Sequence, residues 1–283
     1  MTDGEVATTL GIQHFQHLNA SQQAQLFWKP PEVISLHDEP RLIATALGAT
    51  LYIPADRPDL AATVTRRASE GICSMVLDLE DAVDDMHADA AMHNVVTALD
   101  ELAADPLATM VFVRVRSYDC IPQIADRLTV GAHALAGFVI PKFEADTGAR
   151  YLRQTEDAAS ALSRHLYCMP VLESERILFQ ETRDAELTAL VDLLDEHRQT
   201  VLAVRVGATD MCGSLGIRRD RDHTIYDVKV VADVLAAIIN RFGRPDGTGF
   251  VVTAPVWEYF ADHERLFRPL LRATPFPDPD AVR

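Results

Sequence analysis

The sequence has no excess of positive charge. Its 283 residues carry 26 lysines and arginines against 42 aspartates and glutamates, which gives a formal net charge of −16. Such a chain is poorly suited to binding nucleic acid or an anionic membrane surface, because both are recognised through basic side chains. The surplus of acid does not exclude a small anionic ligand, since local arginines and a metal ion can reverse the sign at one site.

Cysteine is also scarce, and long apolar runs are missing. The four cysteines form no C-x-x-C pair, so we expect reduced, mostly buried thiols in a cytoplasmic protein. No apolar run reaches the length of a membrane span, and the polar start shows no signal peptide. An apolar content of 48% and a charged content of 24% are typical of a globular protein.

From residue 50 onwards, short apolar runs alternate with segments that have helical spacing. The seven runs are Leu51–Ile53, Met75–Leu79, Met110–Val115, Phe138–Ile140, Leu166–Val171, Val201–Val206 and Phe250–Val252. Strands that alternate with helices predict a parallel sheet with right-handed crossovers. Seven such units favour an α/β fold of the TIM (β/α)8 type over an open doubly wound sheet. No glycine motif of a nucleotide-binding fold follows any of the runs.

The chain divides into two regions of different composition. Residues 1–45 contain a helix-breaking W-K-P-P segment and several apolar side chains, which predicts an N-terminal extension packed on the barrel. Residues 46–283 form the predicted barrel domain. No eighth strand is evident after Val252, so we expect the C-terminal part of the barrel to be incomplete. We expect that the chain stops short of its natural end, or that the extension or a partner subunit fills the gap.

Carboxylates crowd the end of the second predicted strand. The segment S-M-V-L-D-L-E-D at 74–81 begins as a buried strand and ends with Asp78, Glu80 and Asp81. Carboxylates at this density repel one another, so they need a cation, an arginine or a shared proton nearby. The alternative for any one of them is a helix cap.

A second acidic pair follows the fifth and sixth predicted strands, whose carboxyl ends lie side by side in a barrel. Glu173 and Asp210 are the candidate metal ligands. Two carboxylates without a nearby histidine or cysteine suit Mg²⁺ or Mn²⁺, with water or substrate oxygens completing the shell. The alternatives are a helix cap for Asp210 and an ion pair between Glu173 and Arg176.

Two basic residues also stand at predicted strand ends. Arg114 lies between two valines, and a guanidinium in an apolar strand requires an anion because it cannot lose its proton. The acids of the second strand are its structural partner, and a substrate carboxylate or enolate oxygen is the functional one. Lys142 is a candidate for a Schiff base, although an ion pair with the same acids is favoured if a metal is present.

Six motifs occur in order along the barrel: L-Y-I-P-A-D-R-P at 51–58, V-L-D-L-E-D-A-V at 76–83, V-R-V at 113–115, I-P-K at 140–142, a glutamate at 173 and G-A-T-D at 207–210. Over residues 45–255 the chain resembles the HpcH/HpaI aldolase and citrate lyase β-subunit superfamily. The N-terminal extension and the P-V-W-E-Y-F segment at 255–260 resemble a divergent subgroup of carbon–carbon bond lyases found with tellurite-stress operons.

The resemblance implies a TIM barrel that cleaves or forms a carbon–carbon bond beside a carbonyl, commonly with acyl-CoA thioesters and Mg²⁺. It implies that Glu173 and Asp210 bind the metal, and that Arg114 holds the substrate carboxylate and enolate oxygen. Asp81 resembles an acid that serves a neighbouring subunit's site, which implies a homo-oligomer, a trimer or a multiple of one. Arg57 lies where family members contact CoA.

We therefore expect a lyase that acts on a 2-hydroxy or 2-oxo acid, or its acyl-CoA thioester, through an enolate. Asp81 or Glu80 would move the proton. One alternative is a hydrolase of a malyl- or citramalyl-type thioester at the same site. Another is a non-catalytic binding subunit of a stress-response biosynthetic complex. The chain departs from the family at Arg116, where an asparagine is common, and in lacking an evident last strand and covering helix.

Overall fold

A computed structural model describes residues 11–16, 18–219, 223–253 and 255. Seven parallel strands form one sheet in chain order. They are β1 (Leu51–Pro54), β2 (Ser74–Asp78), β3 (Met110–Arg114), β4 (Leu135–Ile140), β5 (Tyr167–Leu172), β6 (Val204–Val206) and β7 (Val252–Thr253). The predicted α/β fold of the TIM-barrel type is confirmed, and each of the seven predicted runs contains or overlaps one strand.

Ten α-helices accompany the strands in the described ranges. They are α1 (Ala20–Leu26), α2 (Pro40–Thr45), α3 (Leu60–Ser69), α4 (Ala88–Ala104), α5 (Cys120–Arg127), α6 (Ala145–Ala161), α7 (Glu175–Leu178), α8 (Gln180–Glu196), α9 (Ala208–Ser214) and α10 (Lys229–Phe242). The helices between the strands make the right-handed crossovers that a parallel sheet requires.

One predicted helical stripe is interrupted. The spacing of Ile124, Leu128 and Ala132 predicts one helix, but α5 ends at Arg127 and Leu128 adopts extended backbone. The reason is the side chain of Asp100, which accepts the backbone N–H groups of Thr129 and Gly131 at 3.2 and 2.6 Å. These bonds stabilise a separate 3₁₀ turn at Gly131–His133, and both apolar residues stay buried.

Side chains that alternate along the strands build two cores. Residues such as Leu77, Val113 and Leu172 point outward and pack with the helices in one cluster. Their neighbours, such as Val76 and Phe112, point to the inner face and form a second cluster. This alternation decides which polar residues at the strand ends reach the interior.

The described part of the N-terminal region places some of its apolar side chains in the inner core and leaves others exposed. Ile12 pairs with Ile34 in an isolated antiparallel bridge and is 2% exposed. It packs in the inner cluster together with Ile43 of α2. Trp28, in contrast, is fully exposed. The boundary between extension and barrel at residues 45 and 46 stays a prediction.

The closure of the barrel lies partly outside the described residues. Among the described strands, none pairs with the free edges of β1 and β7. The segment at 256–260 and the proline-rich end at 274–279 are not described. No helix in the described ranges combines the length and apolarity needed to cross a bilayer.

Candidate active site

A cavity of about 790 Å³ opens at the carboxyl ends of the strands. Its walls include Tyr52 of β1, Asp78 of β2, Arg114 of β3, Glu173 after β5 and Asp210 of α9. The sheet is curled enough that β1 and β6 face each other across this cavity, since the guanidinium of Arg205 lies 5.5 Å from the ring centroid of Tyr52.

Arg114 is held by three carboxylates. Asp78 accepts from its Nε and Nη2 in a bidentate pair, with both distances 2.6 Å. Its Nη1 lies 3.1 Å from an oxygen of Glu80 and 3.1 Å from an oxygen of Asp81. Burial opposes the charge of Arg114, but the bonds and charge of Asp78 prevail and raise its pKa. The guanidinium therefore stays ionised and fixes the acids of β2.

Lys142 shares these acids from the opposite side. Its Nζ donates to Glu80 Oε1 at 2.6 Å and lies 3.9 Å from Asp81. This is the ion pair that the sequence favoured over a Schiff base. Glu80 Oε2 is buried and accepts no hydrogen bond from a described residue, although it lies 3.1 Å from Arg114 Nη1. Burial raises the pKa of Glu80, while its bond to Lys142 works in the opposite direction.

The backbone at Lys142 is unusual and serves the site. Its φ of 48° lies in the left-handed region, which costs a non-glycine residue roughly 1 kcal/mol. Its N–H donates to Glu173 Oε1 at 2.8 Å. One residue therefore joins two carboxylates, Glu80 through its side chain and Glu173 through its backbone.

Glu173 is a carboxylate held in a place that disfavours its charge. It is only 6% exposed. Burial, reinforced by the negative charge of Asp210, raises the pKa of Glu173 to about 7. The carboxylate lies directly over Gly207, where an added Cβ would approach Glu173 Oε2 to 1.6 Å. The glycine before α9 is therefore required by close approach of this side chain.

Asp210 lies in the first turn of α9 and lines the same cavity. Burial, together with the charge of Asp81, raises the pKa of Asp210. The helix cap proposed as its alternative role is not found, because the N-cap of α9 is Gly207. The alternative for Glu173 is also wrong, since Arg176 pairs with Glu144, Asp146 and Glu186.

The donor set fits a hard divalent cation. Two carboxylates whose pKa values are both raised by burial and by neighbouring negative charge are stabilised by a nearby cation. Mg²⁺ takes one or two protein carboxylates together with oxygens of water and substrate. Within the described ranges, no group of three or more His, Cys, Asp or Glu side chains is arranged to hold a metal. A site at Glu173 and Asp210 would thus depend on ligand oxygens for the remaining positions.

Not every predicted site residue reaches the cavity. Arg57 pairs with Asp59 at 3.2 Å on the exposed side of the β1–α3 loop and is not among the described residues that line the cavity. Arg116 donates to the carbonyls of Leu79 and Val83 at 3.1 and 2.8 Å and also pairs with Asp85. It therefore anchors the loop that carries Glu80 and Asp81.

Sequence reasoning missed two cavity residues, Tyr52 and Arg205. It named Asp78 among several acids without singling it out, although Asp78 makes the closest bonds to Arg114. Tyr52 places its ring beside both arginines, at 5.2 Å from Arg114 and 5.5 Å from Arg205. The signal that could have found Arg205 is its position between Val204 and Val206, whose side chains take the opposite face of β6.

Comparison with known proteins identifies the family of this chain. The model of a family described as carbon–carbon bond lyases of the TIM-barrel fold matches residues 41–276. The chain belongs to this family. The match covers the six motifs and confirms the predicted family resemblance. It extends beyond the described strands into the C-terminal residues.

Individual relatives are more distant. A citrate lyase subunit beta-like protein of Deinococcus radiodurans is 39% identical over 111 residues, which are 38% of this chain and 37% of the relative. Malate synthase of Haloferax volcanii matches 67% of this chain with a TM-score of 0.52 and 15% identity. An HpcH/HpaI aldolase/citrate lyase family protein of Burkholderia cenocepacia matches 75% with a TM-score of 0.50 and 17% identity.

These matches differ in how much of each relative they cover. The chain spans about a third of the Deinococcus protein and 56% of the malate synthase chain, but 83% of the Burkholderia chain. At such low identity the two solved structures support the fold alone.

Proposed function

We propose that this member of the carbon–carbon bond lyase family is a divalent-metal-dependent enzyme that acts on a 2-hydroxy or 2-oxo acid, or its acyl-CoA thioester, through an enolate. One observation carries the proposal: two carboxylates disfavoured as anions, Glu173 and Asp210, line the same cavity as the guanidinium of Arg114. Mg²⁺ or Mn²⁺ at the two carboxylates would supply a Lewis acid that polarises a ligand oxygen.

The chain's own residues would stabilise charge and move the proton. Cleavage beside a carbonyl leaves an enolate, and fixed cations lower the energy of that negative charge. Arg114 is such a cation, because Asp78 holds it in one orientation. Asp81 is half-exposed at the cavity rim and is placed to exchange a proton with a ligand.

Ligands seen in one structural neighbour guide the choice of substrates. Haloferax malate synthase has been solved as a magnesium and glyoxylate complex and as a pyruvate and acetyl-CoA complex. A CoA thioester therefore belongs in the substrate panel. We also propose that Arg57 contacts CoA, because its side chain is exposed. A homo-oligomer, in which the half-exposed Asp81 would reach a neighbouring subunit's cavity instead of its own, is a further proposal that the molar mass in solution checks.

We propose that the protein is located in the reducing environment of the cytoplasm, and its cysteines support this location. All four are free and buried, as the sequence predicted, and none forms a disulfide.

The deciding experiment compares metal binding with turnover. Mg²⁺ or Mn²⁺ should raise the melting temperature of the EDTA-treated protein, and Glu173→Gln and Asp210→Asn should abolish that rise. Glu175→Gln, an exposed neighbour in α7, is the matched control and should retain it. Incubation with malyl- or citramalyl-type CoA thioesters, whose hydroxyl-bearing carbon carries a free carboxylate and lies β to the thioester carbonyl, should release a shorter acyl-CoA and a 2-oxo acid.

Two results would contradict the proposal. Release of free thiol without carbon–carbon cleavage would assign a hydrolase. An unchanged melting temperature with both metals, together with no reaction of any substrate, would reject the metal-dependent enzyme.

A further inference from the structure

Arg205 differs from the other cavity arginine in having no acidic partner among the described residues. It lies on the inner face of β6, between Val171 of β5 and Thr253 of β7. Its polar contacts are long, 3.4 Å to Thr50 Oγ1 and 3.9 Å to the sulfur of Met169. Within the described ranges, no carboxylate lies within ion-pair distance of its guanidinium.

A partly buried guanidinium without a counter-charge is unfavourable, because it stays protonated at any ordinary pH. The ring of Tyr52 offsets some of this cost, with its centroid 5.5 Å away. A neutral ring face cannot replace the hydrogen bonds that five guanidinium N–H groups require. The site therefore has unused donor capacity directed at the cavity that Arg205 lines.

The surroundings of Arg205 contain a second unused polar group. Thr253 Oγ1 on the neighbouring strand is buried and has no hydrogen-bond partner among the described residues. Thr253 is the Cα partner of Arg205 and lines the same cavity. A buried hydroxyl next to an unpaired guanidinium is explained by a ligand group that accepts from both.

The depth of Arg205 separates it from the metal candidates. It pairs with Val171, two residues before Glu173, so its Cα lies deeper than that of Glu173 by roughly 7 Å of strand rise. Beneath it lies Met169, an inner-core residue. Arg205 therefore forms the floor of the cavity, whereas Glu173 and Asp210 belong to its rim.

From these contacts we infer that Arg205 is the ligand-binding residue at the cavity floor and takes a carboxylate group of the substrate. Arg114 is less suited to bind this carboxylate group, because its guanidinium already pairs with three carboxylates of the chain. A planar carboxylate matches the fork of a guanidinium and carries one charge. A phosphate dianion fits less well, since Asp78 and Glu173 line the same cavity and would repel it. The inference deepens the proposed function, and its part in turnover rests on that proposal.

Binding of pyruvate without metal tests the subsite separately. In EDTA, ligand-observed NMR should detect saturable binding of pyruvate to the wild type, and at least about tenfold weaker binding of methyl pyruvate, which lacks the charge. Arg205→Met should weaken pyruvate binding by about the same factor. Arg205→Lys should retain part of it, because an ammonium keeps the charge but lacks the fork.

Controls separate this result from charge, folding and metal effects. Arg153→Met removes an exposed arginine of α6 and should bind pyruvate as the wild type does. Equal melting temperatures of the Arg205→Lys protein and the wild type show that the fold is intact. Glu173→Gln should still bind pyruvate in EDTA, so failure of the metal proposal leaves this result unaffected.

Three outcomes overturn the inference. These are wild-type binding that does not distinguish pyruvate from methyl pyruvate, no saturable binding by the wild type, and unchanged binding by Arg205→Met. The last of these would mean that Tyr52 and Thr50 alone satisfy Arg205.

Discussion

The two halves of the site, each of which contributes residues to the cavity wall, satisfy their charges in different ways. In the paired half, on β2, β3 and β4, Arg114 and Lys142 meet the carboxylates of Asp78, Glu80 and Asp81. In the unpaired half, on β5, β6 and α9, Glu173, Asp210 and Arg205 form no ion pair with any described residue. A half whose charges are already balanced is preorganised, whereas a half with unbalanced charges is completed by what binds there.

The difference originates in neighbouring strands of one sheet. Asp78 and Arg114 are Cα partners across β2 and β3, so their side chains leave the sheet together and meet. Glu173 and Arg205 are not in register, because the partner of Arg205 is Val171. A shift of two residues thus keeps opposite charges apart in one half while the other half brings them together.

Removing Arg114 should have the largest effect. Arg114→Met leaves Asp78, which is 3% exposed, without its bidentate cation, and leaves Glu80 with Lys142 alone. Breaking a buried pair by deleting one partner costs about 3–5 kcal/mol. Urea denaturation should therefore show a loss of this order, and catalysis should disappear. Arg150→Met, which breaks the exposed pair with Asp119, is the control and should change stability by less than about 1 kcal/mol. A similar small loss for both variants would contradict the contrast between the halves.

The second-largest effect is expected in the pH dependence of stability, which depends on Glu173 in the unpaired half. The pKa of Glu173 is raised to about 7 in the folded chain, above its ordinary value of 4.5. Its contribution is therefore fully present below about pH 4.5 and is lost as the pH rises through 7. In EDTA, wild-type stability relative to Glu173→Gln should fall by roughly 2–3 kcal/mol over this range. A constant difference between the two proteins would show that burial does not disfavour the charge.

The smallest effect is expected at Gly207. Gly207→Ala would press a methyl group against Glu173 Oε2 and should cost about 1–2 kcal/mol, with loss of metal binding. Gly213→Ala in the same helix meets nothing within 4 Å and should instead stabilise the protein by about 0.5–1 kcal/mol. Equal effects of the two alanines in urea denaturation would reject the close approach of Glu173 to the backbone.

The fold could be predicted from the sequence because buried parallel strands consist of nearly continuous apolar runs. Each of the seven runs became a strand or part of one. The end of α5 was not readable, because it depends on the carboxylate of Asp100 more than twenty residues earlier in the chain. Long-range side-chain bonds of this kind leave no periodic signal.

The site was predicted unevenly for a related reason. Charges at strand ends are visible in the sequence, and Arg114, Glu173 and Asp210, which were chosen for that reason, line one cavity. Lys142, chosen in the same way, bonds to Glu80. Their roles stay predictions. Arg205 was not chosen, because an arginine within a valine-rich run can face either side of the sheet until the register is known. Arg57 was chosen by resemblance alone, and nothing in the residues around it indicated that it would pair with Asp59.

The inner core that contains Ile12, Ile43 and Met169 has a consequence for where a ligand can sit. Met169 lies beneath Arg205, so a molecule bound by Arg205 rests on packed apolar side chains. If one molecule is cut in two in the cavity, the fragment at Arg205 lies at a deeper level than the fragment near Glu173.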